Sequence, residues 1–167
     1  KKMSKPKLDS LIPGIHKLLE SELEFLDLNW PKNLPKGIIH ADLFPDNVFF
    51  DKKKISGILD FYFSCYDFLI YDLAITINAW CFNKGKFNQS FFNKIIKGYQ
   101  SERKLTEIEK TQFNIIIRGA SLRFLLTRLY DSINTKKNSI VTLKDPIEYY
   151  SILIFHIKSD EGFNYFK

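Results

Sequence analysis

The sequence predicts an α+β fold that is mostly helical, with one short β segment near its front. Apolar residues recur at helical spacing in five stretches that together cover much of the 167 residues. Between the first and second of these, residues 37–60 break into short apolar runs separated by polar or charged turns, which is strand patterning. Glycine adds an exclusion: there are only seven, no two within ten positions, so neither GxGxxG nor GxxxxGK[ST] can be written.

The first helix is predicted over residues 14–29. Ile15, Leu18, Leu19, Leu23 and Leu26 form its apolar stripe, and Trp30-Pro31 closes it. Residues 31–35, bounded by two prolines, read as a loop. Gly37-Ile38-Ile39 is a short strand ending at His40. Val48-Phe49-Phe50 is a second strand, Lys52-Lys53-Lys54 a charged turn, and Ile55 to Leu59 a third strand ending at Asp60. Helices are then predicted over 71–82, 87–100, 107–132 and 146–159, the third with a possible break at Gly119. Thr106 and Glu109 form a Thr-x-x-Glu capping box in front of the third. Asp145-Pro146 supplies a cap and a first-turn proline for the fourth.

The formal charge is +6, from 25 basic and 19 acidic residues, but only four of the basic residues are arginine. The lysines are scattered and accompany Ile, Asn, Phe and Tyr, which share A/T-rich codons. A solvated surface is the better reading, and nucleic acid is not an expected partner. Cys65 and Cys81 form no CxxC pair, which excludes a zinc ribbon or disulfide framework and suits a reducing, cytoplasmic setting. Both are read as small buried residues, and Tyr62, Phe63, Tyr66 and Trp80 as core. The most apolar stretch, residues 113–127, is interrupted by Arg118 and Arg123, so no membrane span is expected. The basic N-terminus lacks the apolar core of a signal peptide.

The polar residues of chemical interest gather in the β segment. His40-Ala41-Asp42-Leu43-Phe44-Pro45-Asp46-Asn47 is followed, thirteen residues after Asn47, by Asp60 in Leu59-Asp60-Phe61. A carboxylate, an amide five residues on and a second carboxylate at strand-loop junctions match what magnesium-dependent phosphoryl transfer to a hydroxyl needs. Asp42 can accept the proton of the attacking hydroxyl. Asn47 and Asp60 offer hard oxygen ligands, brought to one end by the intervening hairpin. Aspartate and asparagine in such loops also serve as plain turn formers, and Asp46 is read so. His40 is read as a structural histidine that fixes the loop backbone.

HxDxxxxN followed by Leu-Asp-Phe resembles the aminoglycoside phosphotransferase and choline kinase superfamily. Residues 37–50, Asp60-Phe61-Tyr62-Phe63, Tyr71-Asp72-Leu73-Ala74-Ile75, residues 78–82, residues 118–131 and Lys144-Asp145-Pro146 resemble, more particularly, the homoserine kinases of that superfamily. The resemblance implies a protein-kinase-like C-terminal lobe with a short β-hairpin catalytic segment. It implies transfer of the ATP γ-phosphate to L-homoserine with Mg2+, a step toward threonine. It makes Asp42 the catalytic aspartate and Asn47 and Asp60 the magnesium ligands. Asp72 would tie its helix to the catalytic loop, or serve as a simple helix cap. Choline, aminoglycosides and methylthioribose remain alternative acceptors.

For an acceptor with a carboxylate and an ammonium group, Arg123 and Arg128 are candidate carboxylate partners and Asp67 a candidate for the ammonium. The two arginines lie five residues apart, about 140° around a helix, so they need not share a face and can equally serve structural ion pairs. Only 39 residues precede His40, too few for a nucleotide-binding lobe. Residues 1–167 are therefore expected to form a single catalytic lobe with the N-terminal, phosphate-gripping lobe absent. The chain opens Lys1-Lys2, with its one methionine at position 3. An incomplete chain, a split enzyme with that lobe on a separate chain, and a non-catalytic binding domain are the three readings. The intact Asp42, Asn47 and Asp60 argue against the last.

Overall fold

A 28-residue helix forms the axis of the molecule. The computed structural model describes residues 3–135, 143–159 and 165–166. Six helices occur among them: α1 (Lys5–Leu11), α2 (Ile15–Asn29), α3 (Leu69–Trp80), α4 (Gln89–Glu102), α5 (Glu107–Asn134) and α6 (Pro146–Ser159). The strands are β1 (Lys36–Ile39), β2 (Val48–Asp51), β3 (Lys54–Ile58), β4 (Cys65–Phe68), β5 (Phe82–Asn83) and β6 (Lys86–Phe87). The α+β, mostly helical class expected from the patterning is the one observed.

Both halves of α5 are buried, against different partners. Phe113, Ile116, Ile117 and Ala120 pack with Ile70, Leu73, Ala74 and Ile77 of α3 and with Phe92 and Ile96 of α4. Leu122, Leu125 and Leu129 pack with α1, α2 and with Tyr149, Ile152 and Leu153 of α6. Enclosure on several sides explains how α5 runs unbroken through Gly119, where the sequence left a break open. That glycine serves packing instead: a Cβ there would lie 2.3 Å from the Trp30 ring. The capping box forms, with Glu109 N donating to Thr106 Oγ1 at 3.3 Å and Thr106 N donating to Glu109 at 2.9 Å. Glu109 is also paired with Arg103. Asp145 caps α6 by accepting from Ile147 N at 2.8 Å.

The strands form three separate antiparallel ribbons. The hairpin β2–β3 is the predicted one, with a bulge between Phe49 and Phe50. Two pairings were not legible. β4 returns to β1 with Ile39 opposite Cys65 and Lys36 opposite Phe68, a contact between segments 26 or more residues apart. β5 and β6 flank Lys84-Gly85, both left-handed (φ 49° and 74°), the geometry of a tight hairpin turn. This hairpin takes Phe82 and Phe87, which the patterning assigned to helices. Helix α1 was also missed, because its seven residues bury only Leu8 and show no periodic stripe.

Side chains of the β segment are largely exposed, and this overturns two expectations. Tyr62, Phe63 and Tyr66 are 87%, 49% and 68% exposed rather than core. Cys81 is buried as expected, but Cys65, on β4, is exposed; both cysteines are free. No described helix is long and apolar enough to cross a membrane.

Candidate active site

The site begins with two backbone conformations that non-glycine residues adopt only at a cost. Ala41 and Asp60 are left-handed, with φ of 61° and 59°. Both neighbours of the Ala41 peptide are held from outside the loop. Ala41 N donates to Asp72 Oδ1 at 2.8 Å, and His40 N donates to Asp72 Oδ2 at 3.1 Å. Ala41 O accepts from Arg123 Nη1 at 2.8 Å. Asp72, in the first turn of α3, and Arg123, on α5, thus hold the loop between two helices. The helix opens on Phe68 as its N-cap, so Asp72 does not fill that cap position.

His40 closes the other side. Its Nε2 meets the Leu59 carbonyl at 2.8 Å, so that nitrogen carries the proton, and its ring leans on Phe61 at 4.7 Å. Leu59 N donates to Asn47 O at 2.9 Å, drawing the end of β3 back to the loop and delivering Asp60. A short 3-10 turn (Pro45–Asn47) follows Phe44, whose N donates to Asp42 O at 2.8 Å. Trp80 Nε1 donates to Leu43 O at 2.9 Å and fixes the loop from α3.

These ties leave Asp42, Asn47 and Asp60 on one cleft of about 440 Å³. Asn47 Nδ2 donates to Asp42 O at 2.9 Å and reaches Asp42 Oδ2 at 3.4 Å. The amide nitrogen is therefore spent on Asp42, and its oxygen is the atom left to bind a cation. Asp60 supplies a second hard oxygen donor. Among the described residues no group of three or more His, Cys, Asp or Glu is arranged to hold a metal. Two oxygen donors fit a cation that takes its other ligands from phosphates and water, as magnesium does. Burial raises the Asp42 carboxyl above the usual range and the Asp60 charge adds to this, while Arg123 works in the opposite direction.

Arg123 and Arg128 both line the cleft despite their spacing. Arg128 is committed elsewhere, donating to Glu148 at 2.6 Å and to Asp145 O at 2.8 Å. Arg123 lies with its guanidinium 4.8 Å from the Phe124 ring and 5.6 Å from Phe63. Asp67 is placed differently: it sits on β4 opposite Gly37, accepts from Phe68 N at 2.8 Å, and is not among the cleft residues. Asp46 pairs with Lys144 at 3.1 Å across the cleft mouth. Thr127, Asp131 and Lys144 also line the cleft and were not singled out from the sequence. Arg123, Thr127 and Asp131 recur every four residues, a signal that could have marked one helical face. Lys144 carries no such signal, since a separate segment brings it there.

The family described as "Phosphotransferase enzyme family" matches residues 3–106. Among the curated relatives that the chain resembles are proteins that carry the name "Homoserine kinase". The protein from Rhodospirillum rubrum is 51% identical over 149 residues, covering 89% of this chain and 46% of the relative. That from Sinorhizobium fredii is 47% identical over 154 residues, 92% of this chain and 47% of the relative. That from Brucella anthropi is 44% identical over 164 residues, 98% of this chain and 50% of the relative. The chain spans about half the length of the curated relatives it matches.

Proposed function

The chain belongs to the phosphotransferase enzyme family, and on that premise we propose that the full-length protein moves the γ-phosphate of ATP to the hydroxyl of L-homoserine. The observation that carries this is the cleft in which Asp42, Asn47 and Asp60 face one space. The relatives' names supply the acceptor.

Asp42 is the base. It accepts the hydroxyl proton as the acceptor oxygen bonds to the γ-phosphorus. The bond from that phosphorus to the β–γ bridging oxygen breaks, and its electron pair leaves with ADP. Burial favours this role, because a carboxylate raised toward neutrality is a better base than an exposed one. Asn47 orients Asp42 through its amide nitrogen and, with Asp60, would hold Mg2+ by oxygen. When bound, Mg2+ would neutralise phosphate charge. Asp72, His40 and Arg123 keep the left-handed loop in place, so that Asp42 reaches the hydroxyl without reorganisation.

The same reading assigns the phosphate grip to the part of the protein beyond these 167 residues, in cis or on a second chain. The setting is the cytoplasm, where free thiols such as Cys65 and Cys81 persist.

The test is an ATP-dependent assay of the full-length protein, with homoserine, choline, an aminoglycoside and methylthioribose as acceptors and products identified by mass spectrometry. O-phospho-L-homoserine and ADP in equal amounts are expected. Transfer to another acceptor but not to homoserine, or to none, overturns the reading. The 167-residue chain alone is expected to be weak or inactive; full activity from it would overturn the assignment of the phosphate grip elsewhere.

A further inference from the structure

The cleft contains a carboxylate that neither proton transfer nor cation binding uses. Residues four apart on a helix differ by about 40° around its axis, so Arg123, Thr127 and Asp131 form a row along one face of α5. All three line the cleft. The Arg123 end adjoins the catalytic loop through the Ala41 carbonyl. Asp131 stands further out, about 12 Å along the helix axis at 1.5 Å per residue. The neighbouring cations are engaged elsewhere: Arg128 with Glu148, and Lys144 with Asp46. No ion pair among the described residues engages the Asp131 carboxylate.

A carboxylate facing this space repels the phosphates of a nucleotide and attracts a cationic end of the acceptor. We propose that Asp131 selects an α-amino acid acceptor by receiving its ammonium group, an inference that rests on reading the protein as a homoserine kinase. The hydroxyl oxygen and ammonium nitrogen of homoserine are four bonds apart, about 5 Å when extended. With a hydrogen bond of about 2.8 Å at each end, the ligand reaches roughly 10 Å from end to end, and Asp42 and Asp131 line the same cleft. Lys144 Nζ, which donates one of its three N–H groups to Asp46, has others for the acceptor's carboxylate. The cleft then offers a base, a cation and an anion to a hydroxyl, a carboxylate and an ammonium.

The experiment compares the full-length protein with its Asp131→Asn and Asp131→Glu variants on three acceptors: homoserine, 4-hydroxybutanoate, which lacks the amino group, and 3-aminopropan-1-ol, which lacks the carboxylate. Asp131→Asn is expected to lower kcat/KM for homoserine and for the amino alcohol 10- to 100-fold, mainly through KM, and to leave 4-hydroxybutanoate unchanged or improved. Asp131→Glu is expected to recover part of the loss. Equal losses on all three acceptors, or no loss on homoserine, would overturn the role of Asp131 while leaving the kinase reading intact. If the unmodified protein fails to phosphorylate homoserine, the parent reading falls and this inference falls with it.

Discussion

The helical body and the β segment of this molecule treat polar groups in opposite ways. In the body they are enclosed and paired with one another. Arg118 and Glu22, both nearly inaccessible, join through two hydrogen bonds of 2.7 Å, with the guanidinium stacked 3.7 Å from the Phe25 ring. Asn78 Nδ2 donates to Ser121 Oγ at 2.9 Å, so its oxygen accepts from His156 Nε2 at 2.8 Å. His156 Nδ1 then accepts from the Tyr165 hydroxyl at 2.6 Å. In the β segment Asp42 and Asp60 face open space, and the hairpin exposes Phe49, Phe50, Ile55 and Ile58. On the proposed reading, stability resides in the first region and proton transfer in the second. Asp72 and Arg123 connect them, since two side chains of the rigid body hold the strained Ala41 peptide of the loop.

Breaking each side separately tests that division. The largest effect is expected from Asp42→Ala in the full-length protein. The kcat should fall about 10³- to 10⁴-fold, the upper range for loss of a general base. Circular dichroism should show the fold intact, and retention of more than a tenth of the activity would deny Asp42 the role of base.

Next in size, Arg118→Met should cost about 3–5 kcal/mol in denaturant unfolding, because Glu22 is left charged and buried without its partner. Adding Glu22→Leu should recover much of that loss. A double variant no better than the single would mean that the pair does not act as a unit.

A smaller effect follows from His156, whose burial holds its imidazole down at about 3 against an ordinary 6.5. Between these values the unfolded chain carries a proton that the folded chain does not. Stability therefore falls as pH falls through this window, by about 2 kcal/mol from pH 6.5 to pH 5. Chemical denaturation across that range, compared with His156→Gln, measures it; equal slopes for the two proteins would sink the assignment.

The smallest expected effect lies on the connection itself. Arg123 opposes the upward pull of burial on Asp42, so Arg123→Gln should move the acid limb of the activity profile to higher pH. Arg123→Lys should move it less, because the charge remains. An unmoved limb would separate the clamp on Ala41 from any electrostatic role.

Much of the body was legible because its signals are local. The Thr106–Glu109 box and the Asp145-Pro146 start each span a few residues and depend on nothing remote. The hairpin joining Asn47 to Asp60 was legible for the same reason, as two apolar runs around a lysine turn. What escaped depends on distant partners. The β1–β4 pairing joins segments that show only a few apolar residues each. Glu22 reads as one more polar position on α2 until Arg118, 96 residues away, is placed against it. Asp67 was the sequence's candidate for an ammonium group, and only the fold shows that it lies outside the cleft that Asp131 lines.

By itself, the sequence determined the chemistry on offer. The order and spacing of Asp42, Asn47 and Asp60, and the helical periodicities around them, follow from residue type and local propensity. Tertiary structure alone decided how that chemistry is held. A left-handed alanine is disfavoured in isolation and persists because Asp72 and Arg123, 31 and 82 residues away along the chain, satisfy its amide and its carbonyl at once. No local propensity encodes such a three-way contact; it exists only once α3 and α5 have packed together.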